Sequence, residues 1–215
     1  MNSRQLIKRT LEFDKPRRIP RELWTLPWAE NNHPQELKGI QQKYPNDITK
    51  PPASLKQPLN THGDPFEIGA YVDEWGCKFE NKQAGIIGEV KEPVVKDLSR
   101  LEDVQPPEQC LSVDTEAVND FCRNTDKFVI AACCPRPFER LQFLRGTENV
   151  MMDLAMDLDR LKELIAIIHD FYVKELQIWA KTDVDGLMFM DDWGMQRSLL
   201  IAPRTWRDIF KPLYA

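Results

Sequence analysis

Residues 186–194 read Gly186-Leu187-Met188-Phe189-Met190-Asp191-Asp192-Trp193-Gly194, and directly before them residues 158–182 repeat their apolar positions at helical spacing. An apolar run closed by two acids, a tryptophan and a glycine predicts a buried strand over 186–190 that passes into a loop at its carboxyl end. Working outward, residues 128–134 form a second, nearly all-apolar run, and helical patterns lie between the two at 138–145 and 148–156. A helix is expected at 115–124, and another from Pro203, where proline suits a first turn. Strands alternating with helices predict a parallel sheet covered on both faces, with functional groups on the loops after the strands' carboxyl ends.

The first hundred residues are less regular. Ser3 is placed to cap a helix running to about Phe13, which Pro16 and Pro20 end. A short strand is expected at 19–24 and a helix at 33–44. Residues 45–70, with five prolines, read as loop. Residues 71–80 and 86–95 have strand character beside Gly85 and Gly88, which predicts a hairpin or lid outside the repeat. The whole chain, 1–215, reads as one domain, a (β/α)₈ barrel cut short after about four or five strands. Eight strands are not found, so the expectation is a fragment or, failing that, a smaller open sheet whose raw edges would make the isolated chain associate.

Composition narrows the function classes. The 215 residues are 42% hydrophobic, enough for one core, and the 29% of charged residues mix both signs to a net charge of −5. No basic face calls for nucleic acid or anionic lipid. No run nears the roughly 20 apolar residues of a membrane span, and the N-terminus lacks a secretion signal, so a cytoplasmic protein is expected. Five cysteines without C-x-x-C spacing read as reduced thiols rather than a disulfide framework or zinc knuckle. Nucleotide-binding loops, the G-x-S-x-G elbow and H-E-x-x-H are all missing.

Asp191 and Asp192 are the leading candidates for catalysis, since adjacent carboxylates at a strand end point apart and one can face the pocket to hold a polar group or move a proton. The competing reading makes one a turn cap and leaves the other solvated. In Cys134-Pro135-Arg136-Pro137-Phe138, Arg136 is placed to pair with a substrate carboxylate from a loop stiffened by prolines. Arg140 and Arg145, farther along, are expected in surface salt bridges. Cys133 and Cys134 alternate faces of a strand and read as packing. Asp73 and Trp75, in Asp73-Glu74-Trp75-Gly76-Cys77, are expected to cover a ligand from the lid. His33, His62 and His169 are isolated from any ligand set.

The helix at Ser3-Arg4 with Pro16-Arg17-Arg18-Ile19-Pro20, the run 71–77, the stretch from Pro137-Phe138-Glu139 to Arg145-Gly146, and Phe189-Met190-Asp191-Asp192-Trp193-Gly194 with Leu200-Ile201-Ala202-Pro203 together resemble the uroporphyrinogen decarboxylase superfamily. The resemblance spans almost the whole chain. It implies a (β/α)₈ barrel with a deep pocket, the remaining strands lying beyond Ala215, and either of two activities: decarboxylation of a tetrapyrrole without a cofactor, or methyl exchange with a corrinoid protein.

Two departures from the decarboxylase pattern bear on that choice. Its arginine-bearing R-Q-A-G-R-Y segment is matched here by Leu23-Trp24-Thr25-Leu26-Pro27-Trp28-Ala29-Glu30, without arginine, and its serine is matched by Asp192. Losing the clamp removes the charge-assisted bonds that a many-carboxylate substrate needs, and a second acid repels it. The methyltransferase branch suits Trp24 and Trp28 better, as the lining of an apolar pocket. That branch's zinc site, His-x-Cys with a later cysteine, has no counterpart in this chain. Zinc is therefore expected only if a further C-terminal part supplies those ligands, and no metal or other cofactor is assigned within residues 1–215. The expected function is thus a divergent methyltransferase with a small substrate and a corrinoid partner. Uroporphyrinogen decarboxylation and a non-catalytic remnant are the alternatives.

Overall fold

Helix α1 (Ser3–Leu11) starts at Asn2, not Ser3. The Asn2 side chain accepts the Gln5 N–H at 2.9 Å and Gln5 Oε1 accepts the Asn2 N–H, a reciprocal cap that leaves the Ser3 hydroxyl to donate to Asp47. Ile7 packs on Phe128 and Ile130, which ties the helix under the parallel strands. These coordinates are a computed structural model describing residues 1–52 and 54–215. The expected strand at 19–24 is extended but joins no ladder: Arg21 and Leu23 donate instead to the side chains of Asp47 and Asn46. Pro20 has no N–H to offer a neighbouring strand. Two short helices follow, α2 (Pro27–Asn32) and α3 (Pro34–Lys43), each with proline in its first turn and neither with a buried residue. The first of them lies where no helix was expected.

β1 (Ile48–Thr49) lies within the stretch read as loop. β2 (Gly69–Val72), β3 (Lys78–Asn81) and β4 (Glu89–Glu92) form a three-stranded antiparallel sheet in that order. The run 71–80 is therefore two strands rather than one. Asp73 breaks it: its Oδ1 accepts the N–H groups of Trp75 and Cys77, and Gly76 supplies the φ of 81° that closes the turn.

α4 (Thr115–Arg123), capped by the Asp114 carboxylate, leads into β5 (Phe128–Val129). β5 pairs in parallel with β1, Ile48 opposite Phe128, and Ile130 bridges in parallel to Gly186. Three short parallel segments thus lie side by side; the antiparallel sheet and α4 come between the first two, and helices α5 (Pro137–Arg145), α6 (Thr147–Met156) and α7 (Leu158–Trp179) between the second and third. Beyond Gly186 the expected strand loses its ladder. Pro135 and Pro137 remove donors from the neighbouring segment, and the remaining tie is the Met190 N–H to the Pro135 carbonyl. Among the described residues the parallel segments do not close on themselves. The α/β alternation is present, with fewer and shorter strands than the sequence predicts. α8 (Pro203–Thr205) then widens into a π turn over Trp206–Phe210 and a last 3-10 turn over Lys211–Tyr214.

The main core lies between the antiparallel sheet, α5, α6, α7 and the C-terminal turns, with Phe79, Phe138, Leu141, Leu164 and Phe210 almost fully buried. Trp193 stacks on Phe138, their ring centroids 4.2 Å apart and nearly parallel. A second core joins Val118, Val129, Cys133 and Trp179 under the parallel strands.

Candidate functional site

The turn between β2 and β3, the loop from Cys134 to Arg136, and one face each of α5 and α7 surround a cavity of about 270 Å³. Asp73, Trp75 and Arg136 all border it. The first two come from the Asp73 turn, whose shape follows from a single carboxylate taking two backbone N–H groups. The other Asp73 oxygen receives the guanidinium of Arg140 from α5, which also donates to Glu74 at 3.0 Å.

Arg140 is therefore no surface residue. Its guanidinium lies 5.3 Å from the Trp75 ring centroid and 5.5 Å from that of Phe143, and its Nε–H has no partner. Burial works to lower its pKa, but Tyr172, Asp73 and Glu74 together hold it above the ordinary arginine value. Arg145 is likewise half-enclosed rather than exposed. It pairs with buried Asp153 at 2.7 Å and donates to the carbonyls of Val95 and Lys96, fastening α5 to α6 and to the end of the sheet.

Glu175 on α7 faces the same cavity and is only 7% exposed. Burial, with Glu74 adding like charge, pushes its carboxyl up to about 7. Such a group holds or releases a proton near neutrality. No motif marks Glu175, and Arg140 is expected at the surface, yet each falls on a buried helical stripe: Ile168, Tyr172, Glu175 and Trp179 on α7, and Arg140, Leu141 and Leu144 on α5. An ionisable residue in register with core positions is the signal that finds both. The thiols bordering the cavity are inert at neutral pH: burial pushes Cys110 up to about 12 and raises Cys134. Arg136, half-exposed, pairs with Glu139 at 3.0 Å.

The other expected site residues lie elsewhere. Asp191 caps α5: its two oxygens accept the N–H groups of Phe138 and Glu139, both at 2.8 Å, and one also accepts the Tyr214 hydroxyl at 2.5 Å. Burial raises its pKa despite those bonds. Asp192 turns outward and accepts the Gly194 N–H, an Asx turn. This arrangement is the cap-and-solvated alternative, because the free N–H groups at the start of α5 lie directly across from the strand end. Asp191 instead borders an apolar groove of about 440 Å³ with Phe189, Trp193, Trp206 and Tyr214. Trp24 and Trp28 are 61% and 39% exposed and border neither hollow. Trp28 is drawn to the antiparallel sheet, its N–H donating to the Gly85 carbonyl.

Among the described residues no group of three or more His, Cys, Asp or Glu side chains is placed to hold a metal ion, and no helix is long and apolar enough to cross a membrane. The described residues do not fit a zinc ion.

The family profile described as uroporphyrinogen decarboxylase (URO-D) matches residues 64–215, well over half of the sequence. The chain belongs to the uroporphyrinogen decarboxylase family. The matched span contains every residue around the Arg140 cavity. A solved structure titled methyltransferase from Methanosarcina mazei superposes with a TM-score of 0.59 at 13% identity, over 99% of this chain and 65% of its own. That likeness shows a shared fold, and this uroporphyrinogen decarboxylase family member spans less than two thirds of its structural neighbour. No curated protein matches the sequence.

Proposed function

We propose that the chain belongs to the methyltransferase-type branch of its family, binding a small methylated substrate in the Arg140 cavity and exchanging the methyl group with a corrinoid protein. The charge and size of that cavity carry the reading. Arg140 is matched by Asp73 and Glu74, Arg136 by Glu139, and Glu175 adds a further acid, so nothing there compensates a substrate bearing many carboxylates. A volume of about 270 Å³ lies at the small end of ligand pockets. Residues 23–30, which replace the arginine clamp of the decarboxylases, carry no arginine and do not border the cavity.

In this reading the chain's own residues bind, orient and exclude water. Tyr71, Trp75, Phe79 and Phe171 wall off the substrate, and Glu175 holds a proton at its carboxyl or takes one from a basic atom beside it. The corrinoid of the partner supplies the cobalt that gives or receives the methyl group.

The test uses protein from its native source. Methylcobalamin absorbance is followed with small methylated compounds, and uroporphyrinogen is assayed in parallel. Methyl exchange without tetrapyrrole turnover is expected, and decarboxylation of uroporphyrinogen sinks the proposal.

A further inference from the structure

Glu175 is a buried acid without a cation. Neither a hydrogen bond nor an ion pair among the described residues reaches its carboxyl, and the influences on it are burial and the like charge of Glu74. An unpaired carboxylate in such a place is costly, and a ligand that brings a positive charge removes the cost. The surroundings suit such a ligand. Phe171 and Tyr172 lie one turn before Glu175 on the same face of α7, while Tyr71 and Phe79 close the cavity from the antiparallel sheet. Ring faces attract cations and are well matched to methylated ammonium groups. Of the two arginines bordering the cavity, Arg140 is already matched by Asp73 and Glu74 and Arg136 by Glu139, so acids exceed bases around the empty volume.

We infer that the cavity binds a small organic cation, an amine or quaternary ammonium group, with Glu175 as its counter-ion and Phe171 and Tyr172 as its apolar bed. This deepens the proposed function by naming the substrate class, and it rests on that reading only for the substrate being small.

The pH dependence follows from the groups facing Glu175. Glu74 approaches from the β2–β3 turn, Cys110 from the segment before α4, Cys133 from the end of the second parallel segment, Arg140 from α5 and Tyr172 from α7 itself. Both thiols are pushed far above neutrality, Tyr172 is pushed up to about 12, and Arg140 stays charged. Glu175, at about 7, is the group that ionises in this range, so cation binding strengthens as pH rises through 7 and weakens below it.

Tetramethylammonium chloride titrated calorimetrically into the full chain at pH 8, at constant ionic strength, reads the site directly. Saturable binding is expected, with the neutral tert-butanol at least about tenfold weaker. Glu175→Gln, which keeps the shape and removes the charge, should lose about tenfold, a factor typical of one partly buried charge contact. Phe171→Leu should weaken binding through the ring while keeping the acid, and near-UV circular dichroism establishes that both variants are folded. Equal binding of tert-butanol, an unchanged Glu175→Gln, or no saturable heat from either tetramethylammonium or methylammonium overturns the inference. Because no turnover is measured, cation binding without methyl exchange supports this site while the corrinoid reading fails, and methyl exchange without cation binding does the reverse.

Discussion

Replacing Arg140 with methionine should be among the most damaging single changes in this protein. Arg140 and Asp73 are 9% and 4% exposed, and the guanidinium spans Asp73 and Glu74 beneath the Trp75 ring. Removing one member of a buried ion pair costs about 3–5 kcal/mol, because the remaining charge has no partner. Losing the ring contacts adds about 1 kcal/mol. Relief of the unpartnered Nε–H returns about 1–3 kcal/mol, since the methionine side chain has no donor to leave unmade. The net loss is roughly 3 kcal/mol, a large share of the 5–15 kcal/mol typical of a whole domain. Urea unfolding followed by tryptophan fluorescence measures it, and an unchanged slope shows that the unfolded state is unaltered. In an Asp73→Asn background the same replacement should cost only about 1 kcal/mol, because the amide oxygen still accepts the Trp75 and Cys77 N–H groups and only the partly exposed Glu74 loses its partner. A loss below about 1 kcal/mol in both backgrounds, the range of exposed pairs, would refute the reasoning.

Asp191→Asn keeps the shape of the α5 cap and removes its charge, so a loss of about 1 kcal/mol in thermal unfolding is expected; an unchanged melting temperature would show that the carboxylate is not engaged as a cap. Glu175 is raised in the folded state, which binds its proton more tightly than the unfolded chain does. Its contribution to stability is therefore full below the ordinary glutamate pKa near 4.5 and is lost as pH rises through about 7, on the order of 3 kcal/mol in all. Stability curves of Glu175→Gln should lack that decline, and parallel curves for the two proteins would count against the burial argument. Gly85→Ala is expected to cost roughly 2–4 kcal/mol by denaturant titration: φ is 82°, and the new Cβ would sit 2.4 Å from the Trp28 Cα, forcing α2 off the sheet. A loss under 1 kcal/mol would mean that α2 is not docked there.

The helices between residues 115 and 179 were readable within a residue or two because apolar period, caps and terminal glycine agree. Asp114 caps α4, and Gly146, at a φ of 85°, separates α5 from α6. The strands were harder. β1 is two residues among prolines, and residues 187–190 are apolar yet run beside a segment with no N–H to give at Pro135 and Pro137. The run is not buried as its hydrophobicity predicts, Leu187 and Phe189 being 38% and 49% exposed, and a ladder also needs a donor opposite, which a single run does not reveal. At the candidate site, Asp73, Trp75 and Arg136, singled out by local motifs, border the cavity. Arg140, expected at the surface, and Glu175, which no motif marks, lie at helical spacing in line with core positions. The acids at 191 and 192 drew the eye by strand-end position alone. What they meet across space is the open end of α5, and that depends on residues more than fifty positions earlier.

The Asp191 cap makes α5 a shared joint between two hollows. One end of the cap takes the Tyr214 hydroxyl at the lip of the apolar groove, and the other fixes the first turn of the helix that carries Arg136 and Arg140 into the cavity. Whatever presses on Tyr214 or the neighbouring rings thus bears on the seat of a helix, and the seat sets where two guanidinium groups point. Packed interiors pass on small displacements rather than absorbing them. Groove and cavity are thus neighbours joined through one carboxylate at the first turn of α5.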